Sequence, residues 1–250
     1  QPLAETLDIV KKGTKHKPSS DISFFPFVSI INGKNIQQMV HETIKLFCQR
    51  EEVDVADTWL PMYAVASNFS KSEATNFFSG PMAKVLLASS AIPGLFPPII
   101  IDGDIYVDGG TFNNFPADIM RQLKINKTIG VDFVIDKTRK LTIDEMPSNL
   151  EVLKSKFTGN RSEKLRVPKI GSIMLNSTLL YSSAKRQEVK RMLDLHFNPN
   201  VTKYKLTAWS DFDKIVEAGY KHAKEILATM SEEQLNALKD LPQKSESSRV

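Results

Sequence analysis

One cysteine, Cys48, stands in the whole chain, which excludes an internal disulfide framework and leaves the compartment open. No stretch approaches the roughly 18 consecutive apolar residues that a membrane-spanning helix requires. The expectation is a soluble or membrane-peripheral chain, with localisation otherwise undecided. The four histidines, His16, His41, His196 and His222, make no metal-ligand pair, and His41-Glu42 lacks the second histidine of a zincin motif. Neither a metal nor a cofactor is expected. Lys and Arg number 33 against 29 Asp and Glu, a net charge of +4, and these residues are spread along the chain. Without a basic stripe interleaved with aromatics, nucleic acid is not an expected partner, although a modest attraction to anionic lipid head groups is compatible with the charge. The chain opens on Gln1, with no initiating Met and no signal segment, and is expected to be part of something longer.

What is present is a composition of 41% hydrophobic and 25% charged residues over 250 positions, enough for one large domain or two small ones. The organising stretch is 97–120. Within it, residues 99–101 and 105–107 predict two short strands, and Asp102-Gly103-Asp104 has the composition of a tight hairpin turn. The second strand ends on Asp108, followed by Gly109 and Gly110, where a sharp turn meets no Cβ, and Pro116 suits the first turn of a helix over 117–123. An acid is thereby fixed at a strand end beside a pivot. Taken alone, Asp-Gly-Gly is an ordinary turn.

Along the rest of the chain, residues 1–10 are amphipathic and 11–21 predict an exposed loop. Residues 24–31 form the first apolar core element and stop at Asn32-Gly33. Ile36, Val40, Ile44 and Phe47 recur at helical spacing, predicting a helix over 35–49. Residues 59–66 have the character of a buried strand, and Pro81 opens a helix that must end before Pro93. Residues 128–135 predict a continuous strand broken only by Asp132, and helix, loop and strand in that order argue for a parallel sheet with helical crossovers. Residues 136–169 suggest a charged surface excursion. Residues 171–194 predict a helix whose Lys185, Arg186, Lys190 and Arg191 form a solvated face or one that meets lipid. Residues 201–206 suggest an edge strand, Asp211 caps a helix running to about 230, and Ser231 to Gln234 is a capping-box pattern. Residues 243–250 have the composition of a disordered tail.

Ala-Ser-Ser-Ala-Ile-Pro-Gly-Leu-Phe-Pro-Pro over 88–98, leading into Val-Asp-Gly-Gly-Thr-Phe-Asn-Asn-Phe-Pro-Ala-Asp over 107–118, resembles the patatin-like phospholipases, in particular the neuropathy target esterase type. The resemblance covers about residues 20–224. It implies an α/β fold, a three-layer sandwich with a mainly parallel central sheet. It also implies lipid ester hydrolysis through a Ser-Asp dyad without histidine, with Asp108 matching the base. Gly109, Gly110, Asn113 and Asn114 shape the turn, the two asparagines by hydrogen bonding rather than by touching substrate. The family's Gly-x-Ser-x-Gly elbow and glycine-rich oxyanion loop are absent, because no two of the 11 glycines are four apart. Ser29, Ser89 and Ser90 do not sit in a strained elbow and are expected to be structural.

These features imply an N-terminally truncated domain with three parts: a lead-in over 1–19, a partial patatin-like domain over 20–230, and a short helix and tail over 231–250. Its expected partners are a lipid substrate at a membrane surface and the missing upstream segment, with oligomeric state open. The fragment alone is expected to be inactive. The alternatives are a patatin-like module without catalysis that binds lipid or a partner, and an unrelated α/β domain in which Asp-Gly-Gly is only a turn.

Overall fold

The computed structural model describes residues 3–15, 17–123, 125, 127–133, 145–158, 170–204 and 207–239. The chain divides into two compact units, one of Gln1–Val134 with Leu179–Val250 and the other of Ile135–Thr178.

In the larger unit, α1 (Leu3–Thr14) packs against α2 (Lys34–Cys48). The predicted stripe puts Ile44 into the core. The first turn of α2 is capped from a distance. Asp21, 13 residues upstream, accepts the Lys34 N–H at 2.7 Å through its Oδ2, neutralising backbone donors that the Gly33 cap leaves open. Residues 24–31 do not form the expected core element. Phe24 and Phe27 are 88% and 90% exposed, and only Ser29 and Ile31 of that stretch are buried.

The central sheet has four strands in the order β2-β1-β4-β3, formed by β1 (Ala64–Asn68), β2 (Glu73–Phe77), β3 (Ile99–Ile101) and β4 (Asp104–Asp108). All three pairings are antiparallel, which corrects the expectation of a mainly parallel sheet. Between β1 and β2 the chain has only residues 69–72, and between β3 and β4 only Asp102-Gly103. Connections that short reverse the chain, whereas a parallel pair needs a crossover of a dozen residues or more. The hairpin turn is as predicted: Asp102 and Gly103 both have positive φ, at 50° and 84°, the primed-turn geometry that matches strand twist. Parallel pairing occurs between β5 (Ile129–Val131) and β6 (Leu195–Phe197), which form a separate two-stranded sheet. Of the strand predicted over 128–135, β5 occupies 129–131 and residues 134–135 lie outside the described residues; of the edge strand predicted over 201–206, residues 201–204 are not in a strand and 205–206 lie outside the described residues.

Every residue of β1 is buried, covered by α3 (Met82–Ser89), whose Met82, Val85 and Ala88 join the core with Val55, Ile101 and Tyr106. The strand predicted over 59–66 starts only at Ala64. A 3-10 turn at Val55–Asp57, closed by a capping box on Asp54, precedes it, and Trp59 is 95% exposed. Beyond β4 come α4 (Gly110–Asn113) and α5 (Ala117–Gln122).

The smaller unit contains α6 (Asn149–Thr158) and α7 (Ile170–Thr178). The long helix predicted over 171–194 is therefore interrupted at Leu179, and its second part is α8 (Leu180–Lys190) of the larger unit. The chain continues through α9 (Phe212–Ala228) and α10 (Glu232–Lys239). Asp211 does not cap α9 with its side chain, which instead accepts Lys214 Nζ at 2.6 Å. Ser231 and Gln234 do form the reciprocal capping box. The tail over 243–250 lies outside the described residues.

Candidate active site

Asp108 ends β4 and is held on three sides. Its N–H donates to the Ala91 carbonyl at 2.9 Å, on the Ile-Pro-Gly bend. Its carbonyl accepts the Ser67 hydroxyl at 2.9 Å. Its carboxylate Oδ1 accepts the Gly110 N–H at 2.6 Å. Burial pushes the carboxyl above the usual aspartate range, and the Gly110 hydrogen bond opposes that rise. A carboxylate with raised basicity, fixed in direction by a main-chain donor, is suited to accept a proton from a hydroxyl brought against it.

The glycines after it are required by close approach rather than by unusual backbone angles. Gly109 has ordinary right-handed helical angles, but a Cβ on it would stand 2.2 Å from the Val65 carbonyl oxygen of β1. At Gly110 a Cβ would meet Asp108 Oδ1 at 2.9 Å and Asn114 Oδ1 at 3.0 Å. The turn is thus pressed onto the buried strand, with α4 beginning at once.

Asn113 and Asn114 occupy different environments. Asn113 Nδ2 donates to Asp118 Oδ1 at 2.9 Å, tying the end of α4 to the first turn of α5, while Asn114 is exposed. Asp118 Oδ2 in turn accepts Lys185 Nζ of α8 at 3.4 Å. Phe112 meets Tyr181 of α8 edge to face, with ring centroids 6.1 Å apart. Tyr63, just ahead of β1, donates its hydroxyl to the Pro116 carbonyl at 2.8 Å. Burial, then the Asp118 charge, push the Tyr63 phenol up to about 12, which keeps it a neutral donor at ordinary pH. Tyr63 and Ser67, which sequence reasoning does not single out, support the turn, and Lys185, read there as part of a basic helix face, reaches it through Asp118.

Of the basic residues expected to form a solvated face, Arg186 and Lys190 are instead turned to a buried acid, while Arg191 is exposed. Arg186 and Lys190 both reach Asp132, which is 5% exposed, with Arg186 Nη2 at 2.5 Å and Lys190 Nζ at 3.4 Å. Asp132 is therefore an anchor for α8. Its neighbour His196 is held below its usual value by burial, then by Lys190, against the opposing charge of Asp132.

Ser29 and Ser90 are committed to main-chain carbonyls, Ser29 to Ile31 at 2.6 Å and Ser90 to Leu86 at 2.7 Å. Among the described residues no group of three or more His, Cys, Asp or Glu is placed to hold a metal ion. An apolar cavity of about 610 Å³ is lined by Trp59, Leu60, Met62, Tyr63, Phe78 and Met120, among others. Its size is that of a small-molecule site. Tyr63 and Met120 connect it to the strand and helix that flank Asp108 and its turn.

Comparison with known proteins gives a consistent class. Residues 3–121 match the family of patatin-like phospholipases. Over 214 residues the chain is 28% identical to the neuropathy target esterase of Drosophila melanogaster, covering 83% of this chain and 14% of that protein. It is 27% identical over 211 residues to a lysophospholipase of Mycosarcoma maydis, covering 84% and 11%. It is 26% identical over 216 residues to patatin-like phospholipase domain-containing protein 6 of Mus musculus, covering 84% and 15%. Residues 3–121 are thus similar to the patatin-like phospholipase family, and the relatives support its neuropathy target esterase type. It spans only 11% to 15% of the length of these relatives, and no helix among its described residues is long and apolar enough to cross a membrane.

Proposed function

We propose that residues 20–230 carry the carboxylate half of a lipid acyl hydrolase, with Asp108 as general base and a serine nucleophile supplied by polypeptide outside these 250 residues. The observation that carries the reading is Asp108 itself, a partly buried carboxylate of raised pKa that takes a main-chain hydrogen bond on one oxygen at the end of β4. No Gly-x-Ser-x-Gly occurs in the sequence, and the Ser67 hydroxyl bound to Asp108 is fully buried and directed to its main-chain carbonyl.

In this reading Asp108 accepts the serine hydroxyl proton as that oxygen attacks the ester carbonyl of a phospholipid or lysophospholipid. The tetrahedral oxyanion collapses, the C–O bond to the glycerol oxygen breaks, and Asp108 returns its proton to that alcohol, leaving an acyl-serine. Water is then deprotonated by Asp108, attacks the acyl carbon and releases the fatty acid, and the serine recovers its proton. The apolar cavity beside Tyr63 suits an acyl chain.

The test compares hydrolysis of a short-chain nitrophenyl ester and a lysophospholipid by the 250-residue chain and by a longer chain extended upstream. Turnover only in the longer chain is the expected result, and turnover in the 250-residue chain would place the nucleophile within it. The absence of Gly-x-Ser-x-Gly also favours a second reading, a patatin-like module that binds lipid without cleaving it. Silence from a folded longer chain would select that alternative.

A further inference from the structure

Residues 22–31 form a loop with no charged side chain. Its two ends are pinned together by pairing of Ile22 with Ile31 and by the Ser23 N–H on the Ile30 carbonyl at 2.8 Å. The apolar side chains between these ends point outward. Phe24, Phe25 and Phe27 are 88%, 66% and 90% exposed, with Val28 and Ile30 also largely exposed. The rings are ordered against one another: Phe24 meets Phe25 edge to face at 4.9 Å, and Phe25 stacks on Phe27 at 6.2 Å with 9° between planes. An aromatic cluster held in water on a pinned loop has an unfavourable hydration free energy that only an apolar partner relieves.

Charge at its base indicates which partner. Lys17 and Lys34 are exposed and form no ion pair with a described residue. Both are tied to the loop's foot, since Asn35 Nδ2 donates to the Lys17 carbonyl at 3.5 Å and the Lys34 N–H donates to Asp21. Lys15, also exposed, lies two residues before Lys17. Asp21, an acid at the foot, is engaged at the start of α2. Exposed phenylalanines on a loop flanked by exposed lysines match an anionic bilayer, in which rings enter the acyl boundary and ammonium groups remain among the phosphates.

We propose that the loop over residues 22–31 is a membrane anchor that seats this face of the protein on anionic lipid. The loop is also coupled to the candidate site. Ile30 and Ile31 donate to the carbonyls of Gly94 and Leu95, and the same bend offers the Ala91 carbonyl to the Asp108 N–H. Seating the loop therefore fixes the height of Asp108 relative to the lipid surface. This deepens the hydrolase reading above by naming how the site meets its substrate phase, and its test reads partition rather than turnover.

The experiment is flotation of the 250-residue chain with vesicles of phosphatidylcholine alone and of phosphatidylcholine with phosphatidylserine. Binding to the anionic vesicles is expected, weakening with salt. Phe24→Ser with Phe27→Ser should lower partition by roughly tenfold per ring, with an unchanged melting temperature because both rings are exposed. Lys15→Gln, Lys17→Gln and Lys34→Gln together should remove the preference for phosphatidylserine, at roughly fivefold per lysine. Asp108→Asn should float like the wild type, which separates this proposal from the catalytic one. Failure of the wild-type chain to bind either vesicle, or undiminished binding by the Phe24→Ser, Phe27→Ser chain, would overturn the proposal. Self-association in solution that these serines abolish, without vesicle binding, would assign the loop to a second copy and overturn it equally.

Discussion

The main-chain N–H of Gly110 donates to Oδ1 of Asp108 at 2.6 Å, across the intervening Gly109. This contact sets the direction of the carboxylate, and the Gly109 it spans lies hard against the Val65 carbonyl.

Gly109→Ala should therefore be severely destabilising, by about 3 kcal/mol, since a Cβ 2.2 Å from a backbone oxygen forces the buried strand or the turn to move. Gly103→Ala, at φ +84° with open space around it, should cost only about 1 kcal/mol of left-handed backbone strain. Gly219→Ala in α9, where nothing lies within 4 Å of the added carbon, should stabilise by up to about 1 kcal/mol. Urea denaturation of the three variants checks the order.

Asp108 should limit stability at neutral pH. Its folded-state pKa is raised by burial, so the unfolded chain ionises first as pH rises, and the fold loses stability from the ordinary value of 3.8 upward until the folded carboxyl has also ionised. Below that window both states are protonated and the penalty vanishes. Asp108→Asn should therefore melt higher than wild type at neutral pH, and the difference should close as the pH falls below about 4. Thermal melts across that range measure it.

Asp132 and Asp213 separate buried from surface pairing. Asp132→Ala strands Arg186 and Lys190, whose side chains are only 20% and 19% exposed, and should cost about 3 kcal/mol. Asp213→Ala removes a pair with Lys11 that is 71% and 50% exposed, and should cost less than about 1 kcal/mol. Equilibrium unfolding of each variant provides the comparison.

Features encoded within a few residues were legible in the sequence. The Asp102-Gly103 turn, the helix opened by Pro81 and the capping box of Ser231 each depend on neighbours within one turn of chain. Features that depend on distant partners were not. The lysines and arginine of α8 look solvated in sequence because their partners Asp118 and Asp132 lie 67 and 54 residues away. The cap that starts α2 comes from Asp21, outside any local capping window. The sheet was expected to be mainly parallel from the succession of helix, loop and strand after residue 116, yet the short links inside β1-β2 and β3-β4 dictate reversal. At the candidate site the acid and its glycines were visible as a string, while Ser67 and Tyr63 reach the turn only through the folding of β1.

The most direct measurement of the central claim is lysophospholipid turnover by a chain extended upstream to include the proposed serine nucleophile, with Asp108 and with Asp108→Asn. If Asp108 is the base, the asparagine form should fold normally and bind substrate, with kcat lowered by about 10³-fold. An asparagine form that turns over as fast as the wild type would contradict the account.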